Sequence, residues 1–136
     1  MTRSNSTNGM QQDRRVIFST LWLVVMLNII FADILSFLNP EFLQELLTTG
    51  AAAGVEITPS LLVLVGIITQ IPIWMIFLSR VLRHNINRWA NIIASLITMA
   101  YVLGGGSLMP HYILIASIEV ACMLFIIWYA WTWKAD

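Results

Sequence analysis

The sequence is short of charged residues, and this shortage excludes whole classes of protein. Only 10% of its 136 residues are Asp, Glu, Lys or Arg, whereas 59% are apolar. A soluble globule of this size needs more polar surface than that. The formal net charge of zero gives no electrostatic attraction to nucleic acid. We therefore expect one compact domain whose main partner is the lipid bilayer, and no nucleic-acid partner.

Cysteine is nearly absent as well. Cys122 is the single cysteine, so an intramolecular disulfide and a Cys-x-x-Cys redox or zinc site are both excluded. Cys122 lies inside an apolar run, where we expect it to serve packing. The sequence also shows no nucleophile–base pair, metal-ligand cluster or cofactor motif. It therefore predicts no catalytic residue, metal or cofactor, and an enzyme is the least favoured class.

Four apolar runs each reach the length of about 20 residues that a helix needs to cross a bilayer. They cover residues 16–39, 59–82, 87–103 and 110–133. A secretory signal peptide is the alternative interpretation of the first run. That run is longer than an ordinary signal core, and no small-x-small cleavage site follows it. The predicted fold is an all-α, four-helix integral membrane bundle formed by residues 14–136.

The basic residues predict how the bundle is oriented. All seven lie at or beyond the ends of the apolar runs, on the side shared by both termini and the middle connection: Arg3, Arg14, Arg15, Arg80, Arg83, Arg88 and Lys134. Cytoplasmic segments of membrane proteins carry the excess of Lys and Arg, so both termini are expected to be cytoplasmic. The polar residues 1–13 are predicted to form a disordered cytoplasmic tail.

A short amphipathic helix is predicted between the first two runs, over residues 40–49. Asn39, Pro40 and Glu41 supply a helix cap, a first-turn proline and an acid that suits the helix dipole. Leucines and Phe42 then recur at helical spacing, which is typical of a helix lying on a membrane interface. This helix could cover the bundle as a lid or merely tether it. Residues 51–54 are expected to be a flexible link.

Two carboxylates lie inside the apolar runs and are the best lead to function. Burying an acid at membrane depth costs roughly 2.5–3.5 kcal/mol, so Asp33 and Glu119 need a reason to be there. At a rise of about 1.5 Å per residue, both lie roughly 10–13 Å from the outer helix ends. Two acids at similar depth cannot both ionise cheaply, and no intramembrane Lys or Arg pairs with them. We expect them either to share one proton or both to be neutral at pH 7.

Three further polar residues fall in the same depth range and complete a candidate site. Asn28, Gln70 and Tyr101 belong to the first, second and third runs. Each run carries a stripe of small or polar residues at steps of three and four, which predicts close helix packing. The five residues are therefore candidates for one ligand-binding or proton-coupling site in the outer half of the bundle. The alternative interpretation makes the amides, in particular, hydrogen-bonding groups between helices.

Three hypotheses follow for the function. The first is a protein that binds or transports a small hydrophobic or cationic molecule at the outer polar site, with proton coupling. The second is a non-catalytic membrane subunit or assembly partner whose polar stripes serve packing. The third is a membrane enzyme. A homodimer is compatible with all three, since Gly66 or the pair Ala90 and Ala94 could supply a close-packing face.

Several segments of the sequence also resemble those of a known family. The matching strings are IIFADILSFLNP (29–40), ITPSLLV (57–63), IPIWMIFLSRVL (71–82), NRWANII (87–93) and GGGSLMPHYILIASIEVACMLFIIWYAW (104–131). They resemble a family of small bacterial four-span membrane proteins of unknown function, over nearly all of residues 16–133. The architecture is more loosely similar to that of DoxX-like membrane proteins. The resemblance implies the fold and a bacterial inner membrane setting, and it implies no activity.

Overall fold

The computed structural model describes residues 2–133, with side chains from Gly9 onward, and contains five α-helices and one short hairpin there. The elements are α1 (Thr2–Phe37), α2 (Pro40–Thr49), β1 (Ala51–Ala52), β2 (Val55–Glu56), α3 (Pro59–Val81), α4 (His84–Gly104) and α5 (Pro110–Trp131). Four helices are long and apolar enough to cross a membrane: Gly9–Phe37 of α1, and all of α3, α4 and α5. The predicted all-α fold with four candidate membrane helices is confirmed, and it indicates a membrane protein.

The four long helices form a ring in which each packs against two others. Helices α1 and α4 lie at opposite corners, and each contacts both α3 and α5. The short connections from α3 to α4 and from α4 to α5 make these consecutive helices antiparallel neighbours, as predicted. The apolar core is richest along α1 and α5, where Phe18, Trp22, Met123 and Ile126 are fully buried. Large apolar side chains cover the outer surface, which suits contact with lipid.

Helix α1 begins much earlier than the apolar run that defines it. It starts at Thr2, so residues 2–13 are helical where the sequence predicted disorder, and Met1 lies outside the described residues. Good helix formers at residues 10–15 (MQQDRR) let the helix continue outward from the apolar run. Two arginines then fasten it to the bundle: Arg14 Nη1 donates to Tyr129 O at 3.2 Å, and Arg15 Nη1 donates to Arg80 O at 3.4 Å.

These contacts gather the arginines at one end of the bundle. The guanidinium of Arg14 lies 4.5 Å from the centre of the Tyr129 ring, and that of Arg88 lies 5.5 Å from the Trp131 ring. The start of the apolar part of α1, the end of α3, the start of α4 and the end of α5 therefore meet at this arginine end. Lys134 lies outside the described residues.

The connection at the other end is more ordered than a flexible link. Helix α2 has the predicted bounds: Asn39 Oδ1 accepts from the backbone N–H of Glu41 and of Phe42, and Gly50 ends the helix at φ 69°. A hairpin follows in which Ala51 pairs with Glu56 and Ala52 pairs with Val55. A hairpin with strands of only two residues leaves too short a pattern to be predicted from the sequence. Its turn also places Ala53, a residue other than glycine, at φ 50°.

Candidate functional site

A small cavity lies between α1, α4 and α5, in the half of the bundle away from the arginines. Its volume is about 70 Å³, and its walls come from Ile29, Ala32, Asp33, Tyr101, Val102, Gly105, Tyr112 and Glu119. Roughly 10–15 Å³ of such space holds one water molecule, so the cavity has room for a few waters or one small ionic group. Three of the five residues predicted from the sequence, Asp33, Tyr101 and Glu119, meet here.

Glu119 is the most buried group in this cavity that can carry a charge. Its side chain is only 3% exposed, and its Oε1 atom is buried with no hydrogen-bond partner. Buried polar atoms are nearly always paired with protein or with ordered water, so an unpaired carboxyl oxygen calls for an explanation. Helix α5 places Glu119 nine residues after Pro110, about 13 Å along its axis. This depth agrees with the position inferred from the sequence.

Asp33 stands at the edge of the same cavity. It is exposed on the surface of the described chain, while its neighbour Ala32 is buried and packs inside the bundle. Asp33 of α1 therefore lies at the rim of the cavity, whereas Glu119 of α5 lies in its buried wall. The two acids have different surroundings although their depths are similar. Glu119 is the better candidate for the group that holds a ligand or a proton away from water.

Asn28 and Gln70 do not line the cavity. Asn28 is half-buried and its Nδ2 donates to Val24 O of the same helix at 2.8 Å. Gln70 is exposed on the outer surface of α3, one turn after the exposed Gly66. The five residues were predicted to form one site because they lie at similar depths along their helices. Only the packing of the bundle decides which of them face one another.

Tyr112 is a cavity residue that the sequence analysis did not include in the candidate site. Its hydroxyl donates to Val102 O at 2.8 Å, which joins the start of α5 to the end of α4. Gly106 lies beside the ring, where an added Cβ atom would lie 3.5 Å from Tyr112 Cε1, an ordinary van der Waals distance. The signal was present in the sequence: Tyr112 lies seven residues before Glu119, two turns away on the same helix face.

An apolar groove runs along the outer surface between α4 and α5. Its volume is about 520 Å³, and it is lined by Val102, Leu103, Gly106, Ser107, Tyr112, Ile113, Ala116, Ser117, Val120, Ala121 and Leu124. Val102 and Tyr112 belong to both the groove and the acid cavity. The tyrosine ring and its hydrogen bond to Val102 therefore stand between the two spaces.

A network of buried amides occupies the half of the bundle nearer the arginines. Asn91 Oδ1 accepts from Trp22 Nε1 at 2.7 Å and from Ser79 Oγ at 3.3 Å. Asn91 Nδ2 donates to Asn87 Oδ1 at 2.7 Å, and Asn87 Nδ2 donates to Ser79 O. The four side chains are fully buried, and the network joins α1, α3 and α4. Such paired groups hold membrane helices together and leave no free group for a ligand.

Two hydroxyls on α4 lie between the amide network and the acid cavity. Ser95 Oγ and Thr98 Oγ1 are buried, and neither has a hydrogen-bond partner. They follow Asn91 at steps of four and three residues, on the face that leads to Tyr101. Together with Glu119 Oε1 they form a row of buried, unpaired polar atoms in this part of the bundle, and a second group, Arg15 Nε, His84 Nε2 and Arg88 Nε, lies at the arginine end. The arrangement suits a small polar or cationic ligand. Among the described residues, no cluster of three His, Cys, Asp or Glu side chains could hold a metal ion.

Comparisons with known proteins place the chain in a family but supply no activity. No curated protein and no solved structure matches it. The looser similarity to DoxX-like proteins is not shown. The resemblance to a family of unknown function is confirmed, because the sequence model of that family matches residues 8–136. The chain belongs to DUF6326, a family of unknown function.

Proposed function

We propose that this protein binds a small cationic or hydrophobic molecule at the cavity of Glu119, with exchange of a proton, and that it acts in transport of that molecule. One observation carries the proposal: Glu119 lines a cavity and is only 3% exposed, yet its Oε1 has no hydrogen-bond partner. A carboxyl group at membrane depth is costly, and amides already serve helix packing elsewhere in this bundle. Such a carboxyl group can bind a proton and a cation alternately, because either one neutralises its charge.

The setting proposed for this activity is a bacterial inner membrane with both termini in the cytoplasm. The arginine end of the bundle would then face the cytoplasm, and the acid cavity would lie in the outer half. Helix α2 would lie along the outer interface, since it is amphipathic and has no buried residue. In this orientation the ligand would reach Glu119 from the outer half of the membrane.

Infrared difference spectroscopy in liposomes tests the exchange. The carboxyl C=O band that disappears in Glu119→Gln belongs to protonated Glu119, and its intensity can be followed between about pH 5 and pH 9. Butylammonium should reduce this band in the wild-type protein, because the bound cation replaces the proton. Asp13→Asn, at the arginine end of α1, is the matched control and should leave both responses unchanged. If no band is lost in Glu119→Gln, or if butylammonium leaves the band unaltered, the proposal is wrong.

A membrane subunit or assembly partner is the second candidate, and a separate observation favours it. Gln70 is exposed on α3 in a helix of otherwise apolar character, with the exposed Gly66 one turn away. An amide facing lipid lacks hydrogen-bond partners, whereas a second helix could satisfy it. A Cβ added to Gly66 would meet no atom within 4 Å, so the surface there is open to a partner.

A further inference from the structure

The acid cavity is too small to hold a whole organic ligand. Pockets that enclose drug-sized molecules measure about 300–1,000 Å³, whereas this cavity measures about 70 Å³. It can accept the head group of a ligand and nothing larger. The remainder of any such ligand needs a second space that adjoins the first, and the groove of about 520 Å³ between α4 and α5 is of the required size.

The acid cavity is polar and the groove is apolar, which matches the polar head and the apolar chain of an amphiphile. The cavity offers the carboxyls of Glu119 and Asp33 with the rings of Tyr101 and Tyr112, which attract an ammonium group through charge and through their faces. The groove is apolar along most of its length and runs on α5 from Ile113 to Leu124, about 16 Å. It opens on the outer surface, so an alkyl chain could enter it sideways from lipid.

Resting on the proposed function, we infer that the ligand is a long-chain alkylamine whose ammonium group enters the Glu119 cavity while its chain lies in the groove between α4 and α5. Tyr112 is the gate between them. Val102 and Tyr112 line both spaces, and the hydrogen bond from the Tyr112 hydroxyl to Val102 O closes the passage. The ammonium group passes only when the ring swings away. An uncharged alkyl chain should not open this gate, because it would form no favourable interaction with the carboxyl groups in the cavity.

Photolabelling of the protein in nanodiscs tests this inference. The probe is a dodecylammonium with a diazirine in mid-chain, and its control is the corresponding alcohol, which has the same chain and no charge. The amine should label residues between Ile113 and Leu124, and unlabelled dodecylammonium should compete with it. In Glu119→Gln the labelling should fall about tenfold, since the charged partner is lost.

Two matched variants of α5 separate the groove from the rest of the lipid-facing surface. Ala121→Trp fills the groove at an exposed lining position and should abolish the labelling there. Leu114→Trp adds the same ring at a residue that is 64% exposed and does not line the groove, and it should have no effect. Tyr112→Phe keeps the ring but removes the gate's hydrogen bond, so labelling should become about two- to tenfold faster.

Equal labelling by the amine and the alcohol, or labelling that survives Ala121→Trp, would overturn the inference. An unchanged rate in Tyr112→Phe would remove Tyr112 as the gate. The infrared response to butylammonium, whose four-carbon chain is too short to extend along the groove as far as Ala121, distinguishes failure of this inference from failure of the proposed function. If that response persists, the proposed function stands and only the long-chain amine is excluded; if it is also absent, both fail.

Discussion

The indole Nε1 of Trp22 on α1 donates a hydrogen bond of 2.7 Å to Asn91 Oδ1 on α4, between helices at opposite corners of the bundle. Both residues are fully buried, so this bond crosses the centre of the bundle away from lipid and water. It fixes the separation of two helices that have few other contacts. The amide network built around Asn91 is therefore expected to contribute more to stability than its size suggests.

Asn91→Leu should lower the free energy of unfolding by about 1–3 kcal/mol, because it leaves Trp22 Nε1 and Asn87 Oδ1 buried and unpaired. Ser95→Ala is the matched control one turn along the same face of α4. The Ser95 hydroxyl has no partner, so its loss should change stability by less than about 0.5 kcal/mol. Unfolding in mixed detergent micelles measures both. Equal losses in the two variants would contradict the assigned network.

The two acids should contribute unequally to ligand binding. Glu119→Gln should abolish the dependence of butylammonium binding on pH, since it removes the titratable group in the interior of the cavity. Asp33→Asn should weaken binding by a smaller factor, because Asp33 is exposed at the rim of the cavity, whereas Glu119 is buried in its wall. Calorimetric titrations at two pH values provide the measurement. A larger effect from Asp33→Asn would show that the rim, rather than the interior, holds the cation.

Gln70→Leu should weaken self-association in liposomes by about threefold or more if α3 forms an interface with a second copy. The matched control is Ile67→Leu, at a residue that is 62% exposed on the same helix. Energy transfer between labelled copies at several protein-to-lipid ratios reports the association. Identical curves for wild type and Gln70→Leu would exclude Gln70 from any such interface.

The distribution of arginines predicts the orientation of the chain. A reporter fused after Asp136 or inserted near Asn85 should be cytoplasmic, whereas one inserted near Ala52 should be external, because positive residues stay on the cytoplasmic side. The reporter near Ala52 lies in the hairpin turn, where an insertion disturbs no long helix. An external reporter at the C-terminus would contradict the predicted orientation.

The sequence was sufficient to predict four helices long and apolar enough to cross a membrane, with the approximate bounds of all but the first. It also placed Asp33, Tyr101 and Glu119 at similar depth, and these three residues line one cavity. Length and hydropathy define a membrane helix, and a rise of about 1.5 Å per residue fixes relative depth. The same reasoning grouped Asn28 and Gln70 with the acids, although the structure directs them elsewhere. Helical periodicity shows which residues share a face of one helix. It does not show which neighbour that face meets.

The remaining features depend on contacts between helices that are distant in the sequence. Trp22 and Asn91 are 69 residues apart, and nothing in either helix alone pairs them. Tyr112 was not grouped with the acids, because it stands beside Pro110 at the start of a helix, far from them in depth. Its place in the wall of the cavity follows from the packing of α4 against α5, where its hydroxyl donates to Val102 O. The glycine run 104–106 marked a turn in the sequence without showing what would pack against it.

The unequal pairing of polar groups gives the bundle a stiff half and a yielding half. Near the arginines, the Asn87 and Asn91 amides bind three helices to one another, so that end can act as a fulcrum. Toward the other end, Ser95, Thr98 and Glu119 form no such bonds, and the helices are joined there by single contacts, from Tyr112 to Val102 O and between Ser36 and His111. The helices should therefore separate more readily at that end, and amide hydrogen exchange should be faster there than around Asn87 and Asn91.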